Sequence, residues 1–386
     1  MVERLNSRWW LWPLAIFLAS RLVSGLILLV ASYLQGANYW TGAHPDYFSF
    51  LNIWDVEWYG RIVKDGYPTV LPVDSSGHVG QNAWAFLPLF PYLVKATFLP
   101  WKFGAPILAT VFALLFALVA HRLFVKVLGD GAKANWALAF VLTWAASPVL
   151  QTGYAESLSL LGIALVLYSF LQKRYWVTSL ALVVVGFSRP GVLAFALFFA
   201  IVLVQRWLVR NREEFLLPEA AKLVALGVWS LLLGLAWPWI AGLATGRSDA
   251  YLATELAWRA GYVADDQFTP FSGFIVAFQN FFGGFVGVLI FVILVGNLVY
   301  LFFAKSVRAI GALAVFSGSY LLYLFATFYP QSSSWRLLLP VFGLAAALAS
   351  KASPRWRWAI LVVFVLSQVF WVATCWMYAE PDFTPP

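Results

Sequence analysis

Apolar residues form long, almost uncharged stretches along the whole chain, and short polar segments separate them. A helix of about 20 such residues crosses a hydrocarbon layer of about 30 Å. Lipid offers no hydrogen-bond partners to the backbone, so spanning segments are helices or closed barrels, and these stretches lack the alternation of barrel strands. The pattern predicts an all-α polytopic membrane protein. We predict eleven spans, at residues 9–34, 104–121, 136–151, 155–171, 176–190, 191–205, 222–244, 284–303, 309–328, 337–350 and 358–377.

Composition supports this prediction and excludes a soluble fold. Of the 386 residues, 62% are hydrophobic and 11% are charged, whereas about a quarter of the residues in a soluble domain are charged. The single cysteine, Cys375, excludes an internal disulfide, and the three histidines are too scattered to suggest a metal site. We see no internal repeat, and we expect residues 1–386 to form a single transmembrane domain.

The net charge of +8 reflects membrane topology rather than a nucleic-acid partner, because the basic residues concentrate in alternate loops. Cytoplasmic loops carry an excess of Lys and Arg. We therefore predict an integral plasma (inner) membrane protein with a cytoplasmic N-terminus and a periplasmic C-terminus. The basic set includes Arg8, Arg122, Lys126, Lys173, Arg206 and Lys351, and the acids of the opposite side include Asp55, Glu156, Asp249, Asp265 and Glu380.

Two outward loops, at about residues 36–104 and 245–283, are too long to be simple connections, and long loops are often functional. In the first loop, LNIWDVEWYGRIVKDGY predicts a short interfacial helix that ends at Gly66. We expect the aromatic side of this helix to lie at the membrane interface and the polar side, which carries Asp55, to line a cavity. The predicted apolar stripe is Leu51, Trp54, Trp58 and Ile62. Pro88 and Pro91 predict a kinked or re-entrant entry into the second span, and FIVAFQNFF in the second loop predicts a helix on the membrane surface.

Asp55 is our first candidate for chemistry, because a carboxylate in a partly dry interfacial site can abstract a proton. The alternatives are a charge at a helix N-terminus and an ion pair with Arg61. Glu156 lies at membrane depth, where a carboxylate is costly and usually faces a cavity or a partner. It either binds an acceptor hydroxyl or holds an arginine in a structural ion pair.

Arg189 and Arg336 lie at the outer ends of two spans, against the general distribution of basic residues. The arginine fork suits a phosphate at the membrane surface, and the alternative is contact with lipid headgroups. Arg21, inside the first span, predicts a buried acidic partner. Lys64, Arg247 and Arg259 are further outward cations with weaker claims.

The order of several short motifs resembles that of the PIG-V-like mannosyltransferases. These belong to the GT-C superfamily and include bacterial relatives of the second mannosyltransferase of GPI-anchor assembly. The motifs are WDxxWY, GY, NxxxFxPLFP, YxES, RPG and an outward turn ending in RLLLP. The matching residues are Trp54, Asp55, Trp58, Tyr59, Gly66, Tyr67, Asn82, Phe86, Pro88 to Pro91, Tyr154, Glu156, Ser157, Arg189 to Gly191 and Arg336 to Pro340. This sequence departs from the family at Val56, at FLPLFP and at SSSWR.

The resemblance implies a GT-C type bundle, a polyprenyl-phosphate-mannose donor, and Asp55 as the catalytic acid or base. Its partners would be this donor, a glycolipid or glycan acceptor and membrane lipids, with no further cofactor and an open metal requirement. The predicted donor-phosphate ligands are Arg336, Arg189 and Lys64. The predicted substrate-binding residues are Glu156, Trp54, Trp58, Tyr59, Tyr67, Asn82 and Tyr154.

Three alternatives to this function stay open. A transporter or flippase of lipid-linked sugars would also have many helices and buried charges, although transporters often show broken helices and repeat symmetry. A non-catalytic subunit with the same fold is the second. The third is a GT-C enzyme that uses another lipid-linked sugar, such as arabinose.

Overall fold

The fold is known from a computed structural model, which describes residues 8–75, 77–259, 268–378 and 386. Four of the predicted outward acids, Asp265, Asp266, Glu380 and Asp382, lie outside these residues. The described chain is built from helices. They are α1 (Leu11–Leu34), α2 (Tyr47–Phe50), α3 (Asp55–Asp65), α4 (Leu89–Ala96), α5 (Trp101–Leu128), α6 (Gly131–Thr143), α7 (Glu156–Leu171), α8 (Tyr175–Ser188), α9 (Leu193–Leu208), α10 (Leu217–Thr245), α11 (Ala250–Arg259), α12 (Ser272–Phe282), α13 (Gly284–Phe303), α14 (Lys305–Arg308), α15 (Ala312–Thr327), α16 (Ser334–Leu337), α17 (Leu344–Lys351) and α18 (Pro354–Trp371).

In the part of the chain that the structure describes, five helical segments are long and apolar enough to cross a membrane. They are α1, α5, α10, α13 and the segment Pro354–Trp376, in which a π-helical turn extends α18. Shorter apolar helices, among them α7, α8, α9 and α15, complete the bundle. The predicted all-α polytopic membrane fold is confirmed.

Helix α7 lies at the centre of the bundle, packed against α5 and α8, and most of its side chains are buried. Gly162 makes the approach to α8 possible, because a Cβ atom there would lie 2.9 Å from Cγ2 of Val185. Helix α13 is the opposite case, since Gly287 is its one buried residue. Large apolar side chains exposed on α13, α10 and α1 are where lipid would contact the bundle.

Two predicted spans differ from the observed helices, and a proline explains each difference. The predicted span 136–151 corresponds to α6, which ends at Thr143 before a 3-10 turn (Ser147–Gln151) that contains Pro148. The predicted span 337–350 is not one helix. It consists of α16, a 3-10 turn (Leu339–Val341) and α17, because Pro340 has no N–H and its ring clashes with the preceding turn.

The predicted interfacial helix of the first outward loop is observed as α3, which lies between the short helices α2 and α4 of the same loop. Helix α3 begins at Asp55, and Trp54 before it has φ +62°. The predicted apolar stripe is therefore wrong, because Leu51 lies outside α3. The buried face of α3 consists of Val56, Tyr59 and Ile62. The predicted stop at Gly66 is confirmed, with φ +76°.

Among the described residues, Arg21 has no acidic partner of the kind we predicted. Its guanidinium donates hydrogen bonds to the carbonyl oxygens of Ser147, at 2.7 Å, and Leu142, at 2.8 Å. Both carbonyls lie where α6 ends, so the broken helix supplies free acceptors. Arg21 thus links α1 to the end of α6.

Candidate active site

Four charged side chains meet at one end of the bundle, and each comes from a different element. Asp55 is the first residue of α3, Glu156 is the first residue of α7, Arg189 follows α8, and Arg336 lies in α16. We call them the charge cluster. Helices α7 and α8 form a hairpin whose turn contains Lys173, so the charge cluster lies at the end opposite that basic turn.

The charge cluster is a continuous chain of ion pairs. Nη1 of Arg336 lies 2.7 Å from Oδ2 of Asp55 and 3.1 Å from Oε1 of Glu156. Nη1 of Arg189 lies 2.7 Å from the same Oε1. Both arginines therefore converge on one carboxylate oxygen.

The four side chains of the charge cluster differ strongly in burial. The side chains of Glu156, Arg336, Arg189 and Asp55 are 4%, 8%, 17% and 26% exposed, respectively. Two cations and two anions give the charge cluster no formal net charge, which lowers the free-energy cost of burying its charges. Burial alone lowers the pKa of the Arg336 guanidinium, but Glu156 and Asp55 more than offset this, so its pKa is raised.

Glu156 does not use its full capacity to accept hydrogen bonds. Both ion-pair contacts run to Oε1, and among the described residues Oε2 has no hydrogen-bond partner. The carboxylate forms one wall of a small cavity. Its other lining residues include Ser159, Arg189, Tyr320 and Arg336.

The cavity is narrow. It has room for about 20 Å³ of solvent, which is roughly one water molecule. Gly191, next to Arg189, has φ +136°, and a Cβ atom there would lie 3.1 Å from the ring of Tyr320. An anionic headgroup therefore fits beside the arginines only if a side chain moves.

Asp55 is held in place from both sides. Its backbone N–H donates a hydrogen bond of 3.2 Å to the hydroxyl oxygen of Tyr154, and the ring of Tyr154 lies 4.8 Å from the guanidinium carbon of Arg336. On the other side, the indole N–H of Trp54 donates to the carbonyl oxygen of Trp376 at 2.8 Å. Residues of the last span and of the α7 hairpin thus fix the start of α3.

Among solved structures, ArnT from Cupriavidus metallidurans bound to undecaprenyl phosphate is similar to this chain, with a TM-score of 0.52 and 14% sequence identity. The fold is of the GT-C type. The match covers 91% of this chain and 62% of the ArnT chain, so this chain spans about three-fifths of the length of that relative. No protein-family model matches the sequence, and no curated protein matches it.

Several predicted site residues support the GT-C bundle around the charge cluster instead of joining it. Tyr67 donates to the carbonyl oxygen of Phe86 at 2.8 Å. Asn82 donates to the hydroxyl oxygen of Thr254 at 2.9 Å, which joins the two outward loops. Trp58 stacks on Phe86, with ring centroids 5.9 Å apart. Tyr59 is the exception, because it is buried on α3 close enough to the charge cluster for all four charges to act on its hydroxyl; burial raises its pKa.

The remaining cations lie outside the charge cluster. Lys64 is exposed near the end of α3, nine residues after Asp55, which is about 14 Å along a helix. Arg247 pairs with Asp249 at 2.8 Å, and Arg259 contacts the ring of Phe268 and the Thr327 carbonyl. Arg61 pairs with Glu57, so the alternative of an Asp55–Arg61 pair is wrong.

Two residues near the charge cluster escaped the sequence analysis. Tyr320 was hidden inside an apolar span, where a lone tyrosine gives no signal. Glu255 on α11 was only one of many outward acids, yet burial raises its pKa against the opposing effects of a Tyr251 hydrogen bond and of Arg259 and Arg189. Within residues 8–75, 77–259 and 268–378, no group of three His, Cys, Asp or Glu residues is placed to hold a metal ion.

Proposed function

We propose that this protein is a membrane glycosyltransferase that transfers a sugar from a polyprenyl-phosphate donor to an acceptor hydroxyl. One observation carries the proposal. Two arginines and two carboxylates meet at one end of a GT-C bundle, and a protein with a similar fold was solved with undecaprenyl phosphate bound. Arginine pairs bind phosphate well because each fork donates parallel hydrogen bonds.

In the proposed reaction, Asp55 is the general base. The acceptor oxygen attacks the anomeric carbon, its proton passes to the carboxylate of Asp55, and the bond between that carbon and the phosphate oxygen breaks. The electron pair of the broken bond leaves with the phosphate, where Arg336 and Arg189 stabilise the growing charge. Phosphate is a good leaving group, so a separate strong acid is unnecessary.

A single displacement inverts the anomeric configuration. We therefore expect a β-linked donor to give an α-linked product. The lipid tail of the donor would lie against the apolar outer halves of the spans, and the distribution of basic residues supports an active site on the periplasmic side.

Mannose is the donor sugar that we favour, because the motifs resemble those of the PIG-V-like mannosyltransferases. The proposed acceptor is a glycolipid or glycan hydroxyl. Another lipid-linked sugar, such as arabinose, is the alternative within the same reaction class, since the described charge cluster would bind the phosphate of either donor.

The test is a transfer assay with purified protein in nanodiscs. Radiolabelled polyprenyl-phosphate-mannose and polyprenyl-phosphate-arabinose are each incubated with a panel of glycolipid acceptors. We expect labelled product from the mannosyl donor. Asp55→Asn should lower kcat by about 10²- to 10⁴-fold, the usual contribution of a general base.

Two outcomes would contradict the proposal. Undiminished turnover by Asp55→Asn would remove Asp55 from the base role. Movement of the donor across liposome membranes by the wild-type protein, without transfer to any acceptor, would favour a flippase instead.

A further inference from the structure

Two carboxylates contact the same nitrogen atom of Arg336. Its Nη1 contacts Oδ2 of Asp55 and Oε1 of Glu156. Under the proposed function, on which this inference rests, the same guanidinium must also bind the donor phosphate. We propose that the donor phosphate takes the place of Asp55 on Arg336 while Glu156 stays bound, so that donor binding releases the catalytic base.

The first argument is the lack of room. The cavity beside Arg189 and Arg336 holds about 20 Å³ of solvent, the volume of roughly one water molecule. The charge cluster is also formally neutral, so an added phosphate is a third anion competing for two arginines. Either one of the two carboxylates moves, or the phosphate does not bind there.

The second argument identifies the carboxylate that moves. Glu156 is 4% exposed and contacts both arginines, whereas Asp55 is 26% exposed and its carboxylate pairs, within the described part of the chain, with Arg336 and not with Arg189. Removing Glu156 from its place would leave two buried arginines without their shared anion, which is a costly arrangement. Asp55 is already partly exposed to solvent, and its displacement breaks one ion pair, the one with Arg336.

The third argument concerns chemistry. Oδ2 of Asp55 lies 2.7 Å from Nη1 of Arg336, so the guanidinium occupies this carboxylate oxygen. That oxygen is therefore not free to accept the proton of an acceptor hydroxyl while Arg336 holds it. If the phosphate replaces it, the carboxylate can turn to the acceptor hydroxyl, and the donor must bind before the acceptor reacts.

This inference predicts opposite effects for two carboxylates that contact the same nitrogen. Binding of undecaprenyl phosphate to protein in nanodiscs is measured for the wild type and for charge-neutralising variants. Asp55→Asn removes a competitor, so we expect binding at least about threefold tighter, the scale of one ion pair of modest strength. Glu156→Gln removes the anion that holds the arginines together, so we expect binding about tenfold weaker or worse.

Glu57→Gln is the matched control. Glu57 lies two residues from Asp55 on α3 and pairs with Arg61. The Glu57→Gln protein should therefore bind undecaprenyl phosphate with the affinity of the wild type. Undecaprenol, which has the same chain and no phosphate, should not distinguish the variants. If Glu156→Gln does not fold, Glu156→Asp is used, because its shorter side chain draws the carboxylate back from both arginines. If Asp55→Asn does not fold, Asp55→Ser is used in its place.

The outcomes separate this inference from the proposed function. If the wild type binds undecaprenyl phosphate but the Asp55 variant binds it equally or more weakly, the exchange on Arg336 is wrong and the proposed function still stands. If neither the wild type nor any variant binds undecaprenyl phosphate in preference to undecaprenol, the exchange on Arg336 and the proposed function are both wrong. Tighter binding by Asp55→Asn together with its lower kcat supports both.

Discussion

At the scale of single residues, Trp54 has a backbone conformation that tryptophan rarely adopts, with φ +62° and ψ −132°. Such a conformation costs about 1–3 kcal/mol and persists only where neighbours enforce it. Here the bond to the Trp376 carbonyl and the ring of Trp40, 4.6 Å away between centroids, enforce it. The result is an abrupt start of α3 that directs Asp55 toward Arg336.

Tyr154→Phe tests how the start of α3 is held. The variant loses the hydrogen bond with the Asp55 N–H but keeps the ring beside Arg336. We expect the free energy of unfolding to fall by about 1 kcal/mol, as for one hydrogen bond, and kcat to fall several-fold. Tyr67→Phe is the matched variant, because its hydroxyl bonds the Phe86 carbonyl instead. Equal losses of kcat in both would contradict a positioning role for Tyr154.

Gly191→Ala tests the backbone beside Arg189. At φ +136° an alanine is strained, and its Cβ would lie 3.1 Å from the Tyr320 ring. We expect a destabilisation of about 1–3 kcal/mol and weaker binding of undecaprenyl phosphate, measured by thermal unfolding and by titration. Gly36→Ala is the control, since a Cβ atom there meets nothing within 4 Å.

At the scale of elements, the residues that directly follow the last helix tie the first outward loop to the last span. We call residues Trp376 to Tyr378 the C-terminal strap. Gln35, just after α1, donates to the Tyr378 carbonyl at 2.8 Å and accepts from the Tyr378 N–H at 3.0 Å. The indole of Trp376 donates to the Phe50 carbonyl at 3.2 Å. Because the Trp376 carbonyl accepts the indole hydrogen bond of Trp54, the C-terminal strap also helps to fix Trp54.

Gln35→Ala should loosen this strap. The variant removes the two partly buried hydrogen bonds to Tyr378, each worth about 0.5–1.5 kcal/mol, so we expect a loss of about 1–3 kcal/mol in the free energy of unfolding. Because the strap supports Trp54, kcat should also fall, whereas affinity for undecaprenyl phosphate should change little. A variant with full kcat would show that the strap does not position Asp55.

At the scale of the whole molecule, charge is distributed unevenly between the two ends of the bundle. The turn between α7 and α8 and the end of α17 carry lysines, while the charge cluster lies at the other end. Cytoplasmic loops are rich in Lys and Arg, so we predict that Lys351 faces the cytoplasm and that Val70 in the first outward loop faces the periplasm.

Cysteine labelling checks this topology. The chain contains one cysteine, so Cys375→Ala gives a background without thiols. Lys351→Cys and Val70→Cys then place one thiol at an exposed position on each side. In intact bacterial cells that express the protein, a membrane-impermeant maleimide should label the Val70 variant and not the Lys351 variant. The reverse pattern would invert the proposed topology.

The sequence by itself determined the all-helical membrane fold and the candidate charges. Spans are local, because lipid requires about 20 consecutive apolar residues to satisfy their own backbone hydrogen bonds. Asp55, Glu156, Arg189 and Arg336 also stood out locally, since charges near the membrane are costly and rarely incidental.

Only the tertiary structure decided which of these charges meet. Asp55 and Arg336 are 281 residues apart, and no local pattern records a contact over that separation. Two other features depend on how distant helices end beside one another. One is the break at Pro340, which allows α16 to present Arg336. The other is the pair of carbonyls that bind Arg21 in place of an acid. Helical periodicity identifies faces of single helices, whereas an ion pair depends on packing that brings two faces together.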